Sequence, residues 1–194
     1  MTGEPLLLVV TGPPAAGKST LARWLASRLG WPLLAKDDFK ERLLGSSVPV
    51  DREESRRLSD LAWELLFEEA GRVAARRAPL ILEGNFRPAG HPARLAALAA
   101  DHGLRLVQVH CGPPAGIRTA RLRARVGHGR RHPGHLDAQL LGELEAAAEA
   151  GADAQPLALD APLIRHLATS RGSAAISAAR RALLAGIEAL SRQG

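Results

Sequence analysis

Residues 12–19 read Gly-Pro-Pro-Ala-Ala-Gly-Lys-Ser, and this stretch decides the fold. It matches the pattern G-x-x-x-x-G-K-[ST], in which the glycines let consecutive backbone N–H groups turn around a phosphate. Lys18 supplies a positive charge for the β- and γ-phosphates, and the Ser19 hydroxyl is suited to Mg²⁺. We therefore expect a nucleoside triphosphate to bind here. The predicted binding residues are Gly12, Pro13, Pro14, Ala15, Ala16, Gly17, Lys18, Ser19 and Thr20.

The segments on either side support this prediction. The apolar run Leu6–Val10 precedes the loop, as expected for a strand buried on both faces. Leu21, Leu25 and Leu29 follow at four-residue spacing, which is typical of a helix. A chance Gly/Pro turn would not need this order of strand, loop and helix.

Further strand-like runs alternate with helix-length segments. The runs are Pro32–Ala35, Leu80–Leu82, Leu104–His110, and either Leu157–Leu159 or Leu163–Ala168. The helix candidates are 54–77, 92–101, 114–126, 137–155 (ending near Gly151) and a C-terminal stripe of Ile176, Ala179, Leu183, Ile187 and Leu190. The alternation predicts an α/β P-loop NTPase fold, with a parallel five-stranded sheet and helices on both faces. We expect one domain over residues 1–194, with mobile loops at 45–54 and 127–136.

The composition of the chain narrows the class of protein to which it can belong. The chain of 194 residues is 46% hydrophobic, has no apolar run long enough to cross a bilayer, and does not begin with a signal pattern. We therefore expect a cytoplasmic protein that does not bind membranes. The single cysteine, Cys111, ends an apolar run and is expected to be a buried structural thiol. The C-terminal stripe is expected to face the core, with a dimer seam as the alternative, so the chain is a monomer or a homodimer.

The net charge of +6 raises the possibility of nucleic-acid binding. Only three of the 26 basic residues are lysines, the arginines are scattered over several predicted helices, and aromatic residues make up 3% of the chain. Few aromatic side chains are present to stack on bases, so the sequence argues against nucleic acid as the main substrate.

Acidic residues follow two predicted strands. The second strand ends in Lys36-Asp37-Asp38-Phe39-Lys40-Glu41, where Asp38 and Glu41 have the spacing of a helix capping box. This leaves Asp37 at the strand edge, where its carboxylate could accept the proton of an attacking hydroxyl or bind Mg²⁺ through water. In the alternative reading, both aspartates only cap a helix.

The third strand leads into Glu83-Gly84-Asn85-Phe86-Arg87. Glu83 could hold Mg²⁺ through water or grip a substrate hydroxyl, and Arg87 could pair with an acidic group of a substrate. The alternative is a turn with a surface ion pair.

Arginines cluster between residues 118 and 131. Arg118, Arg121 and Arg125 share one face of a predicted helix, and the Gly- and His-rich segment after it forms a basic lid at about 127–136. Phosphoryl transfer requires positive charge around the γ-phosphate, so Arg121 and Arg125, then Arg131, are expected to contact phosphate. A zinc site formed by the lid histidines is a minor alternative, because no Cys or acidic ligand lies close by.

Together these residues resemble the small P-loop kinases of the group that contains chloramphenicol phosphotransferase, the zeta toxins and the kinase domain of polynucleotide kinase. The resemblance rests on Gly12–Thr20, Asp37-Asp38-Phe39, Glu83–Arg87 and the arginine helix and lid at 118–135, and it spans about two-thirds of the chain. It implies an AAA-type ATP-binding kinase domain with a nucleoside-monophosphate-kinase-like sheet, an arginine-rich lid, and Mg-ATP as phosphoryl donor.

The resemblance also implies roles for single residues. Asp37 would be the general base, Lys18 and Arg125 would stabilise the transferring phosphoryl group, and Glu83 and Arg87 would lie in the substrate-binding stretch. Lys40 stands where polynucleotide kinases carry an arginine, and it lacks the two-pronged fork of that side chain. Residues 38–78 would line the acceptor pocket, in which Trp63 and Phe67 are either stacking surfaces or core.

Three functions follow from these observations. The first is an ATP-dependent kinase that phosphorylates a hydroxyl of a small molecule, such as a nucleoside, a sugar, an antibiotic or a nucleotide-sugar. The second is a polynucleotide 5′-kinase or a zeta-like toxin kinase. The third is a regulatory ATPase or a nucleotide-dependent switch, with water as the only acceptor. A switch is disfavoured, because guanine-specific switches need an Asn-Lys-x-Asp element that the chain lacks.

Overall fold

The computed structural model describes residues 4–46, 51–128, 132–149, 155–166 and 173–192. The strands are β1 (Leu6–Thr11), β2 (Leu33–Ala35), β3 (Leu80–Glu83), β4 (Arg105–Cys111) and β5 (Leu163–His166). The helices are α1 (Lys18–Leu29), α2 (Lys36–Leu44), α3 (Arg52–Ala74), α4 (His91–His102), α5 (Ala115–His128), α6 (Asp137–Glu149) and α7 (Ser173–Arg192), with one 3₁₀ turn at Pro133–His135.

The five strands form one parallel sheet in the order β2-β3-β1-β4-β5. All six residues of the central strand β1 are buried, which explains its uninterrupted apolar sequence. The predicted parallel five-stranded sheet is therefore confirmed.

Only one of the two candidate fifth strands joins the sheet. Residues 163–166 form β5, whereas Leu157 lies outside the sheet, and its backbone N–H and C=O both bond the side-chain amide of Gln108 on β4. The Gln108 side chain thus satisfies backbone groups of Leu157 that would otherwise need a neighbouring strand. Sequence periodicity does not reveal such a contact.

Helices cover both faces of the sheet. Alternate residues of β1 point to opposite faces, so Leu7 and Val9 pack with α3 and α4 while Leu8 and Val10 pack with α1 and α7. From the C-terminal stripe, Leu183 and Ile187 are buried in the second of these clusters, and Ala179 is exposed. The prediction that this stripe faces the core is therefore correct for its central part.

The described parts of the two predicted loops include regular structure. The segment 45–54 includes the start of α3, which Asp51 caps by accepting a hydrogen bond from the Glu54 N–H at 2.9 Å. The segment 127–136 includes the end of α5 and the 3₁₀ turn. Residues 47–50 and 129–131 of the two segments, and those around Gly151, lie outside the described residues.

Aromatic rings fill the space between α3, α4 and the end of β3. Trp63 and Phe67 are both buried there, as the core interpretation predicted. The ring of His91 lies 4.4 Å from Trp63, between centroids, and close to Phe67 and Phe86. Its Nδ1 accepts a hydrogen bond from the Arg87 N–H at 3.0 Å, which fixes the chain just after β3.

Leu66→Ala should destabilise the protein by about 3 kcal/mol, because Leu66 on α3 is fully buried and its removal leaves a cavity. The matched change on the same helix, Leu61→Ala, should cost less than about 0.5 kcal/mol, since half of that side chain is already exposed. Urea unfolding of both variants measures the difference, and equal losses would contradict this packing of α3.

Acidic pH should destabilise the protein through His91. Burial, with help from the charges of Arg87 and Arg94 and against those of Glu64 and Asp60, lowers the pKa of His91 from 6.5 to about 4. Between these two values the unfolded chain binds a proton that the folded chain does not. The contribution of His91 is therefore complete above pH 6.5 and is lost as the pH falls towards 4.

We expect this group to account for about 2 kcal/mol of the stability lost between neutral pH and about pH 4.5. Urea unfolding at the two pH values should show a smaller loss for His91→Asn, which keeps an acceptor for the Arg87 N–H but does not titrate. An equal loss in wild type and variant would show that His91 does not resist protonation.

Candidate active site

The loop 12–17 joins β1 to α1 in a conformation that requires glycine. Gly12 has φ +141°, and a Cβ atom there would lie 2.1 Å from the carbonyl oxygen of Cys111 at the end of β4. Gly17 has φ +89° and is the N-cap of α1, so no side chain competes for the first N–H groups of that helix. Free helix N–H groups and a positive helix end favour an anion at this position.

Lys18 is directed back over the loop. It is buried, and its Nζ donates to the carbonyl of Pro13 at 2.8 Å. The ammonium group therefore lies beside the cradle of N–H groups, as phosphate binding requires. Cys111 beneath the loop is fully buried, as predicted, and burial raises the pKa of its thiol to about 12.

Glu83 ends β3 next to the loop. It pairs in register with Val10 of β1 and is 2% exposed. Burial raises the pKa of its carboxyl and the charge of Asp37 adds to this, whereas the charge of Lys18 and a hydrogen bond from the Ser19 hydroxyl oppose it. Glu83 is thus linked electrostatically to three of the predicted site residues.

Asp37 occupies the first turn of α2 rather than the end of a strand. The predicted capping box of Asp38 and Glu41 is wrong, because α2 already begins at Lys36 with Ala35 as its N-cap, and Glu41 bonds His135 instead. Asp37 is partly exposed, and its Oδ1 lies 3.6 Å from Nζ of Lys36. Its carboxylate faces the same opening as the loop.

One cleft of about 640 Å³ brings these groups together. The P-loop and α1 form one wall, α2 and α3 form another, and α5 with the 3₁₀ turn borders a third side. Of the sequence-predicted site residues, those lining the cleft are Pro14, Ala15, Gly17, Lys18, Ser19, Thr20, Asp37, Lys40, Glu83, Arg87, Arg121 and Arg125.

The arginine helix α5 reaches the cleft with two side chains one turn apart. The guanidinium of Arg121 approaches to 3.7 Å from the place a Gly17 Cβ would occupy, and Arg125 pairs with Asp137 at 2.8 Å. Arg118, on the same predicted face, is buried. Arg131 lies outside the described residues.

The base of the lid is fastened to α2 by histidines. His135 is buried and bonds Glu41 at 2.9 Å, and Nε2 of His132 lies 3.1 Å from the Gly45 carbonyl oxygen. These contacts give the lid histidines a structural role. Within the described residues, no cluster of three or more His, Cys, Asp or Glu side chains is arranged to hold a metal ion.

Arg87 forms the ion pair that the alternative interpretation expected. It bonds Asp60 on α3, and both side chains are about half exposed. Arg87 still lines the cleft, so it borders the opening while being held by α3.

Three residues that were not predicted from the sequence also line the cleft: Lys36, Ser55 and Ser59. A signal was present, because Lys36 with Lys40 and Ser55 with Ser59 are spaced four residues apart and so share one helix face each. Gly84 lets α3 approach the end of β3 closely, because a Cβ atom at this position would lie 2.5 Å from the Trp63 ring.

The chain matches a known protein family and shares its fold with solved structures. Residues 7–150 match the model of the AAA domain family AAA_33. The crystal structure of a "putative kinase" from Chloroflexus aurantiacus superposes with a TM-score of 0.83 at 32% identity, over 95% of this chain and 97% of the other. A gluconokinase from Sinorhizobium meliloti shares the fold alone, with a TM-score of 0.55 at 19% identity over 99% of both chains.

Curated relatives match over shorter stretches. A shikimate kinase from Paracidovorax citrulli is 39% identical over 35% of this chain and 38% of its own length. A tRNA dimethylallyltransferase from Gloeobacter violaceus is 38% identical over 40% of this chain and 32% of its own length. The chain thus spans about a third of the length of these relatives.

Across the described helices, none is long and apolar enough to cross a membrane. The family match covers the P-loop, Asp37, Glu83 and the arginine helix. The chain therefore belongs to the AAA domain family AAA_33 and has the fold of the small P-loop kinases.

Proposed function

We propose that the chain is an ATP-dependent kinase that transfers the γ-phosphoryl group to a hydroxyl of a small molecule. The observation that carries the proposal is that one cleft contains both the P-loop and the Asp37 carboxylate. A P-loop alone would serve any nucleotide-binding protein. A carboxylate across the same cleft supplies what an acceptor hydroxyl needs in order to attack.

Asp37 is the proposed general base. Its place in the first turn of α2 holds the carboxylate at the carboxyl edge of the sheet, with Nζ of Lys36 3.6 Å away. An ionised carboxylate accepts the hydroxyl proton as the oxygen bonds to phosphorus, and ADP leaves with the bridging oxygen.

Positive side chains surround the proposed phosphate position. Lys18 from the loop and Arg121 and Arg125 from α5 approach from two sides, where they would stabilise negative charge on the phosphoryl oxygens. Backbone N–H groups of the loop and of the first turn of α1, such as those of Gly17 and Thr20, would hold the phosphates. Pro13 has no N–H, and its carbonyl instead accepts from Lys18. Arg131 would add a further cation when the lid covers the site.

The residues present suit a magnesium ion. Ser19 offers a hydroxyl oxygen, and the carboxylates of Glu83 and Asp37 are close enough to each other to interact electrostatically. Mg²⁺, when bound, neutralises charge on the phosphates. Glu83 would orient the Ser19 hydroxyl and hold a water of the ion. Burial raises the pKa of its carboxyl, and the charge of a nearby cation would oppose that rise.

The wall formed by α2 and α3 is the proposed acceptor side. Lys40, Glu83 and Arg87 line it, and the cleft extends past the P-loop as far as Ser55 and Trp63 on α3. A regulatory ATPase needs no such extension, because its acceptor is water. The gluconokinase that shares the fold is, by its name, a kinase of a small molecule, which agrees with this proposal.

A panel of acceptors tests the proposal. ADP formation by the purified protein with Mg-ATP should rise when one class of hydroxyl compound is added from nucleosides, sugars, aminoglycosides, chloramphenicol-type antibiotics and short oligonucleotides. Rapid hydrolysis that no acceptor changes would favour the regulatory ATPase.

Asp37→Asn should lower kcat by about 100- to 10,000-fold, because the amide cannot take the hydroxyl proton. Asp38→Asn is the matched control: Asp38 is the next residue and pairs with Arg23 at the surface, so its loss should be less than about tenfold. Acceptor-dependent ADP release measures both, and equal losses would remove Asp37 from its proposed role.

Arg121→Ala should lower kcat/KM for ATP by about 100-fold, because one cation beside the phosphates is lost. Arg123→Ala removes the same charge from another face of α5, where Arg123 pairs with Glu145, and should change kcat/KM less than about threefold. If the two variants behaved alike, α5 would act only through its net charge.

A further inference from the structure

We infer that Asn85 binds a second hydroxyl of the acceptor, on the carbon next to the one that is phosphorylated. The acceptor would then be a compound with adjacent hydroxyls, such as a sugar, a polyol or the ribose of a nucleoside. This inference rests on the proposed function, since it names the substrate class of the acceptor side. It is carried by the turn that follows β3, by the side-chain amide that this turn presents, and by the place of that amide beside Asp37.

The turn that follows β3 is anchored on both sides of Asn85. Before it, the N–H of Gly84 donates to a carbonyl of β1 at 3.2 Å. After it, Phe86 is buried, and its ring centroid lies 4.7 Å from that of Trp63. The N–H of the next residue donates to Nδ1 of His91 at 3.0 Å. The backbone of Asn85 is therefore held in a fixed position between buried neighbours.

The side chain of Asn85 is available to a ligand. It is exposed and lines the cleft. Across the part of the chain that the structure describes, its carboxamide forms no hydrogen bond, whereas the nearby Arg87 is already paired with Asp60. Asn85 is also not among the described residues with positive φ, so the backbone does not require an asparagine here. A ligand in the cleft would give the amide the partner that the turn does not.

Asn85 lies beside the proposed general base. Strands β2 and β3 pair in parallel up to their last residues. One residue further along, the two chains are still in contact, because Cβ of Lys36 lies 3.2 Å from the place a Gly84 Cβ would occupy. Asp37 and Asn85 are the next residues on the two chains, and both line the cleft. The carboxylate and the amide therefore start from neighbouring points at one edge of the sheet.

The chemistry of the amide suits a hydroxyl. A carboxamide offers two N–H donors and an acceptor oxygen, and a hydroxyl is likewise both a donor and an acceptor. When one acceptor hydroxyl lies at Asp37, the substituent on the adjacent carbon lies beside Asn85. A hydroxyl there would bond the amide, whereas a hydrogen atom there would leave the amide to water. The site would therefore prefer an acceptor that carries hydroxyls on adjacent carbons.

Binding to the nucleotide-loaded protein tests the inference without turnover. The protein is saturated with Mg-AMPPNP and then titrated with adenosine, ribose and glucose, each beside its single-deoxy counterparts, while saturation-transfer NMR reports binding. We expect at least one of the three parent compounds to bind. A counterpart that lacks one of its adjacent hydroxyls should bind about tenfold more weakly, because one hydrogen bond is lost.

Asn85→Ala should bind the same parent compound about tenfold more weakly than wild type does, and should bind parent and deoxy compound within about twofold of each other. Gln155→Ala is the matched control: it also removes an exposed carboxamide, but Gln155 does not line the cleft, so the tenfold preference should remain. Asn85→Ala should melt within about 2 °C of wild type, because the side chain is exposed.

The inference would be overturned if none of the parent compounds bound, or if each deoxy compound bound as tightly as its parent. A preference that persists unchanged in Asn85→Ala would also overturn it. Failure of the kinase proposal is a separate result. In that case a parent compound would bind beside Mg-AMPPNP with the expected preference, yet the same compound would not increase ADP formation from Mg-ATP.

Discussion

The register of three neighbouring parallel strands holds the site together. Ala35 on β2 pairs with Glu83 on β3, and Glu83 pairs with Val10 on β1. All three strands therefore end at one level, and the residues that follow them, Asp37 and the P-loop, meet at the same edge around Glu83. A shift of one residue in either pairing would move Glu83 away from Ser19 and would turn the apolar residues of the strand to the wrong faces.

This arrangement places charged side chains in buried positions at the edge of the sheet. Glu83, Lys18, Lys36 and Lys40 are all buried at the rim of the sheet, and each is held by hydroxyl, carbonyl or carboxylate groups. Such burial reduces stability unless the charges are partnered. A kinase gains from the same arrangement, because preorganised charges in a site of low dielectric constant act strongly on a phosphoryl group. The buried charges of the cleft thus suit the proposed transfer of a phosphoryl group.

Much of the fold could be predicted from local sequence. The P-loop depends on the backbone geometry of only eight residues. The buried strands are visible in the sequence as apolar runs, so the predicted bounds of β1 to β4 agree with the structure to within about one or two residues. The start of α2 was missed because no side chain caps it, and the Asp38–Glu41 spacing mimicked a cap. The fifth strand was ambiguous because the Gln108 side chain binds the competing segment near Leu157.

Site residues that lie next to the end of a strand could be predicted from the sequence. Residues that reach the cleft only because two helices pack together were harder to predict. Asp37, Glu83 and Arg121 all line the cleft as expected. Lys36 and the serines of α3 were missed, because their meeting depends on how α2 and α3 pack. The Arg87–Asp60 pair joins residues 27 positions apart, and no local pattern reveals such a contact.

The fate of the transferred phosphorus tests the central claim most directly. ³¹P NMR of the protein turning over Mg-ATP with the stimulating acceptor should show one phosphate monoester signal appearing for each ADP formed, with little inorganic phosphate. Inorganic phosphate equal to ADP with every acceptor would mean that water is the acceptor, and would contradict the assignment of this cleft to phosphoryl transfer between two bound molecules.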